Sequence, residues 1–211
     1  MSLLALIFSS GLVLQRRVPI PVWGFAPAGT QVDVAFAGST LRAAADASGR
    51  WAVAFPALEA GGPYFLSANA SNGARQAAND VLVGEVVLCS GQSNMDMPVS
   101  YAFNATAEEA AAAAYPEIRY FVVYPNRSNT PLREFVSTSS RWASGSTAAV
   151  AGSFSAVCWF AVRDVADGLR ATEGNIALGI IHSALGGKPP FLPLSRPSPF
   201  PHARFRPSFP P

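Results

Sequence analysis

The residues Cys89-Ser90-Gly91-Gln92-Ser93-Asn94-Met95 follow directly on an apolar run that begins at Val81. A continuous apolar run of this length reads as a strand buried on both faces, the mark of a parallel sheet. In open parallel sheets, ligands bind outside the carboxyl ends of the strands. Gly91 permits a tight turn at that end, and a serine on the turn would project its hydroxyl into solvent, where it could serve as a nucleophile. If a helical turn follows, its backbone N–H groups would stabilise negative charge on a bound oxygen. The same residues also suit a plain turn in which Ser93 only caps a helix. The segment is not the Gly-x-Ser-x-Gly elbow, because Met95 stands where that motif has its second glycine.

A second candidate is Ser183-Ala184-Leu185-Gly186-Gly187, after another apolar run. A glycine there can present a bare N–H to an oxyanion, although paired glycines more often mark a simple turn. If the sheet is parallel, this loop and Ser93 open on the same edge. His182 ends that run near the same edge and reads as a satisfied or partly buried histidine, with a base for Ser93 as the lesser alternative, and His202 lies in the tail. Asp96 and Glu85 are the nearby carboxylates and read as solvated or capping groups. No His/Cys cluster has metal-ligand spacing, so neither a metal nor another cofactor is expected.

The elements that must position these residues divide the chain in three. Residues 1–80 read as a β-rich domain. Val18–Gly24, Thr30–Phe36, Trp51–Phe55 and the stretch from Pro63 are strand-like, separated by turn signals at Pro27–Gly29, Ala37–Ser39, Ala47–Gly49 and Gly61–Pro63. Short strands at this spacing suggest a small sandwich. Met1–Leu14 is apolar but lacks the basic start and cleavage site of a signal peptide, and reads as a first strand that has lost an upstream leader. Residues 81–188 alternate: strand Val81–Cys89, helix Thr106–Ala114 with a capping box of Thr106 and Glu109, strand Ile118–Val123, a helix with Phe154, Val157, Cys158, Ala161, Val162, Val165 and Leu169 on one face, and strand Ile176–Ile181. That order implies an α/β fold with a parallel sheet. Residues 189–211 hold nine of the chain's 18 prolines and read as a disordered tail.

Composition narrows the function. The chain has 211 residues, half of them hydrophobic and 13% charged, which is enough for a packed core. The net charge is +2 and no basic stripe precedes the tail, so nucleic acid is excluded as an expected partner. No run reaches transmembrane length. Cys89 and Cys158 each sit in an apolar run and read as buried free thiols, with a secreted-type disulfide as the alternative. Sequons at Asn69, Asn104 and Asn126 lean towards the secretory pathway and mark candidate glycosylation sites.

The stretch Val83-Gly-Glu-Val-Val-Leu-Cys-Ser-Gly-Gln-Ser93-Asn-Met resembles the signature of the sialate O-acetylesterase family, within the SGNH (GDSL-like) hydrolases. Leu12-Val-Leu-Gln15, Val22–Thr30, Phe103–Thr106, Phe154–Phe160 and Ile180–Gly187 resemble further family segments in order, so that the likeness covers about residues 8 to 188. The resemblance implies a small N-terminal β-sandwich-like region followed by a partial three-layer α/β/α domain, secreted or lysosomal. It implies a serine esterase that removes O-acetyl groups from sialic acids or another acetylated sugar, with Ser93 as nucleophile and the N–H of Ser93 and of Gly186 or Gly187 in the oxyanion hole. Leu185 and Lys188 depart from the family's usual Trp and Thr. The family's later Asn-bearing and Asp-x-x-His blocks have no counterpart, so the chain is expected to be C-terminally truncated and inactive alone, as an esterase fragment or a non-catalytic sugar-binding module.

Overall fold

The computed structural model describes residues 2–124, 128–134, 141–145, 151–152 and 154–186. Ten strands and three α-helices lie among them. The first six strands are β1 (Val13–Gln15), β2 (Ile20–Phe25), β3 (Gln31–Phe36), β4 (Ser39–Ala44), β5 (Arg50–Phe55) and β6 (Gly61–Ala70). β7 (Arg75–Gly91), α1 (Ser93–Asp96), α2 (Ala105–Ala111), β8 (Ile118–Val122), β9 (Trp142–Ser144), α3 (Ala156–Thr172) and β10 (Leu178–Ala184) follow. The fold is mixed α/β around a central sheet that includes parallel strands.

In β3 the alternation puts Val32, Val34 and Phe36 inside, and in β5 Trp51 and Phe55. β2 and β5 form a separate antiparallel pair, and the Phe36 and Phe55 rings, 5.5 Å apart edge to face, join it to the main sheet. Ala37 and Gly38 both have positive φ and close the β3–β4 hairpin in two residues. Gly61-Gly62-Pro63, read as a turn in the sequence, instead begins β6 and pairs with β7 through register shifts.

The 17-residue β7 organises the molecule. Its first half pairs antiparallel with β6, and its second half pairs parallel with β10, which in turn pairs parallel with β8. Residue 80, where the sequence suggests a change of architecture, falls inside this strand. The spatial order is β7–β10–β8, so the third strand of the sequence reading inserts between the other two.

One face of the parallel strands packs Cys89, Ile118, Tyr120, Leu178 and Ile180 against Cys158, Trp159, Val162 and Ala166 of α3. The other face meets residues 3–14, whose Leu3, Leu4, Phe8 and Leu12 join Phe121, Trp142 and the β-rich core. Two sequence expectations change here. Met1–Leu14 is not one strand: only Val13–Gln15 pairs as β1, because Leu4, Ala5 and Leu6 N–H groups go singly to Gln76, Trp23 and Glu134 on separate elements. On α3, Val157, Ala161 and Val165 face solvent, since this i, i+4, i+8 row lies beside the row that meets the sheet. The capping box also fails: α2 begins at Ala105 behind Asn104 in the left-handed region, with no side-chain cap.

Arg16 is 4% exposed and fastens three elements. Its guanidinium donates to Glu85 on β7 (2.7 Å) and to both carboxylate oxygens of Glu173 after α3 (2.7 and 3.1 Å). The Gln15 amide and the Arg16 guanidinium hold the Glu85 carboxyl below its ordinary range, against the opposing effect of burial. A carboxyl whose pKa is depressed by folding contributes stability above its unfolded value, about 4.3, and loses it as pH falls through the folded value. The melting temperature is therefore expected to drop on acidification below about pH 4, and Glu85→Gln should flatten that part of a profile of thermal melts between pH 3 and 6. An unchanged slope in the variant would assign the acid sensitivity elsewhere.

Candidate active site

β7 ends at Gly91, and one helical turn, α1, carries Ser93 on the surface. Asp96 N–H donates to Gln92 O (2.9 Å) and closes that turn. The turn is tight: a Cβ on Gly91 would lie 2.9 Å from the Met95 Cβ, so the glycine is required sterically, as its place in the sequence suggests. With four residues, α1 supplies the dipole of one turn only.

The loop after β10 meets this turn. Leu185 N–H donates to Gly91 O (3.2 Å), and the Cβ position of Gly186 is 3.8 Å from both Cα and Cβ of Ser93 and 3.9 Å from Asp96 Oδ2. A side chain at 186 would thus stand against the serine. β7 and β10 are parallel neighbours, so Ser93 and Gly186 share the edge that the sequence suggested. Gly187 lies outside the described residues, as do Asn126, His202 and the segment 189–211. Asn69, on β6, and Asn104, before α2, are exposed and belong to other parts of the surface.

The turn is held from beneath. His182, 8% exposed, places Nε2 3.2 Å from Met95 O. A carbonyl only accepts, so Nε2 carries the proton and donates. The His182 ring also lies edge-on to Phe154, with 5.2 Å between centroids. This ring supports the Ser93 turn and is not hydrogen-bonded to the serine. Ser155 caps α3 by accepting from Cys158 N–H (3.2 Å), and its hydroxyl reaches the Met95 sulfur at 3.4 Å. Ala156 N–H donates to Met97 O (2.8 Å).

Cys89 and Cys158 form a disulfide, with 6.1 Å between their Cα atoms. This corrects the reading of two free thiols. Both residues are buried, as their apolar surroundings suggest, but they face each other across the interface of sheet and helix. The bridge ties β7, four residues before Ser93, to the first turn of α3. The cap at Ser155, directly before the apolar stripe of α3, was a readable signal; the Met95 contacts of Ser155 and His182 had none.

Of the two carboxylates near the motif, Glu85 is committed to Gln15 and Arg16 at the far end of the parallel pairing. Asp96 remains beside Gly186. Among the described residues, no imidazole or carboxylate is hydrogen-bonded to Ser93, no group of three or more potential metal ligands occurs, and no helix is long and apolar enough to cross a membrane.

No protein-family model matches this chain. The chain is 31% identical over 200 residues to the sialate O-acetylesterases of Homo sapiens and Pongo abelii, a match that covers 86% of this chain and 36% of each relative. It is 32% identical over 190 residues to the mouse (Mus musculus) sialate O-acetylesterase, covering 83% of this chain and 34% of the relative. The crystal structure of a carbohydrate acetylesterase from Xanthomonas citri superposes with a TM-score of 0.76 at 38% identity, over 87% of this chain and 40% of that one. With the serine turn and its glycine neighbour in place, the chain is similar to sialate O-acetylesterases over most of its own length, and it spans about a third of the length of the curated relatives it matches.

Proposed function

We propose that this chain is part of a carbohydrate esterase that removes O-acetyl groups, from sialic acids above all, through Ser93. The observation that carries the reading is the placement of Ser93 on an exposed turn at the carboxyl end of β7, with the bare backbone of Gly186 against it. The relatives' names supply the acetylated carbohydrate. In this reading the Ser93 hydroxyl attacks the acetyl carbonyl. The N–H groups of Ser93 and of Gly186 or Gly187 receive the oxyanion, and the deacylated sugar leaves before water releases acetate. Residues 1–80 are the β-rich accessory region and residues 81–188 part of a three-layer SGNH-type catalytic domain, in a protein of the secretory pathway or lysosome.

Removal of the serine proton needs a base. His182 is engaged on Met95 O, so the base comes from the remaining length of the family's chain, and the 211 residues alone turn over slowly. The experiment is hydrolysis of p-nitrophenyl acetate and of O-acetylated sialic acid by two proteins: the 211-residue chain, and this chain continued by the unmatched portion of the Xanthomonas citri enzyme. Each is paired with Ser93→Ala. The expected result is at most roughly 10³ to 10⁴-fold acceleration over water from the chain alone, and much faster turnover in the extended protein that Ser93→Ala removes. Fast turnover in the extended protein that survives Ser93→Ala would refute the assignment of the nucleophile. A fast, Ser93-dependent rate in the short chain would instead make His182 the base.

The secretory assignment has its own test at Asn104. This residue precedes α2 with φ of 62°, and the neighbouring Phe103 is 99% exposed, so an oligosaccharide transferase meets no obstruction there. Expression through a eukaryotic secretory pathway should give a glycosidase-sensitive mass increment that Asn104→Gln reduces by one glycan. A secreted product whose mass is the same in both forms would remove Asn104 from the glycosylation sites.

A further inference from the structure

We infer that His182 is a positioning residue for the Ser93 nucleophile: its Nε2–H fixes the serine turn through the Met95 carbonyl, and this bond sets how fast the serine attacks. The catalytic consequence rests on the esterase reading; the fixing of the turn does not. A helix of one turn cannot hold itself in place, because its nucleus costs more than one hydrogen bond returns. α1 has one such bond, from Asp96 N–H to Gln92 O, with no side-chain cap at Gln92 and no buried residue. Its position is therefore imposed from outside. The Met95 carbonyl is an orphan of the helix end, because the N–H four residues on, at Val99, donates instead to Phe154 O (2.8 Å). His182 Nε2 supplies the missing donor at 3.2 Å. Among the described residues, side-chain hydrogen bonds reach α1 at Met95 alone, from His182 to its carbonyl and from Ser155 to its sulfur (3.4 Å). A thioether is a weak acceptor, so the imidazole bond is the stronger of the two.

The donor is itself rigid. His182 is buried on β10, paired opposite Cys89 of β7 on one side and Val122 of β8 on the other. Its own carbonyl accepts the Val123 N–H (2.8 Å). The Phe154 ring lies against the imidazole, and the Phe154 carbonyl is the one that takes the Val99 N–H. Met95, His182, Phe154 and Val99 thus close a cycle of contacts that locates both ends of the segment from Met95 to Val99, directly after the serine.

A neutral imidazole with its proton on Nε2 suffices for this role, and that proton is then engaged on Met95 O rather than on the serine. What the role requires of the side chain is a donor at that reach, not a titrating ring. A nucleophile displaced by about 1 Å loses about 100-fold in rate, and this is the scale on which loss of the bond is read.

Two substitutions separate the donor from the ring. His182→Gln keeps an N–H at a similar reach and loses the ring; His182→Phe keeps a ring against Phe154 and loses the donor. In the 211-residue chain, nitrogen NMR of the wild-type ring should show Nε2 protonated and Nδ1 bare. Amide exchange at Asp96, whose N–H closes the turn, should quicken by about tenfold in His182→Phe and stay near the wild-type rate in His182→Gln. In the chain continued by the unmatched portion of the Xanthomonas citri enzyme, His182→Phe should lower kcat by about 100-fold with KM changed by less than about twofold, and His182→Gln should recover most of kcat. A higher kcat in His182→Phe than in His182→Gln would make ring packing the important part. Equal and near-complete loss in both would make His182 the base. No loss in either, Asp96 exchange that is the same in both variants, or a wild-type ring protonated on Nδ1 alone would take the Met95 bond out of the site's machinery. Each of these overturns the proposal. Should one variant fail to fold, the tautomer of the wild-type ring and the exchange rate in the other variant decide. An extended wild type that does not hydrolyse acetyl esters would count against the esterase reading, and exchange at Asp96 would still decide whether His182 fixes the turn.

Discussion

Removing the Cys89–Cys158 bridge is expected to lower the stability of the chain by roughly 4 kcal/mol. The two cysteines are 69 residues apart, so the cross-link removes the loop-closure entropy of a long segment from the unfolded chain. That segment contains α1, α2, β8, β9 and the start of α3, which otherwise return to β7 through non-covalent contacts such as the Arg119–Asp80 pair between β8 and β7. Cys158→Ala, or reduction of the wild type, should lower the thermal midpoint by about 10 °C and shift the urea midpoint in proportion. The double variant Cys89→Ala/Cys158→Ala should cost little more than either single change, because one bond is lost in all three. Midpoints that are indifferent to reductant would show that sheet and helix hold together without the bridge.

A second large effect is expected at Gly84. A Cβ there would lie 2.0 Å from Ala177 O and 2.8 Å from its carbonyl carbon. The obstacle is backbone, so no rotamer relieves it. Ala177 O also accepts the Glu85 N–H, and Gly84 O accepts the Arg16 N–H, which makes this the point where β1, β7 and the approach to β10 converge. Gly84→Ala must push β10 away from β7 and should cost at least about 3 kcal/mol, at the upper end for overpacking. Gly168→Ala on α3 is the control: its Cβ would meet nothing within 4 Å, and a helical glycine replaced by alanine should stabilise by up to about 1 kcal/mol. Equal midpoints for the two variants in urea titrations would contradict the crowding at Gly84.

Gly84 and Glu85 also show how far local pattern carries. They are the two residues that interrupt the apolar run of β7, and each interruption has a partner distant in sequence: Ala177 for the glycine, Arg16 for the glutamate. The run itself was legible, as were β3, β5, β8, β10 and the placement of Ser93 and Gly186 at strand ends, because burial and strand period write themselves into consecutive residues. β4 was not legible, since none of Ser39–Ala44 is fully buried and Leu41 is its one large apolar side chain. Nor was the order β7–β10–β8, which depends on pairings between strands far apart in the chain. The bond from His182 to Met95 and the disulfide are likewise contacts across the fold. Two cysteines in apolar runs look the same whether they face each other or not.

The length of β7 has a mechanical consequence. A hinge needs a few residues free to change φ and ψ. Between the antiparallel part of β7 and its parallel part there are none, because Val83 is opposite Gly61, Gly84 is opposite Gln15 and Glu85 is opposite Leu178. Bending the chain at that point would break ladder bonds on both sides of the strand at once. The β-rich region and the turn that carries Ser93 are thus ends of one rigid strut, and any opening or closing at the Ser93 turn has to come from loops at the tip.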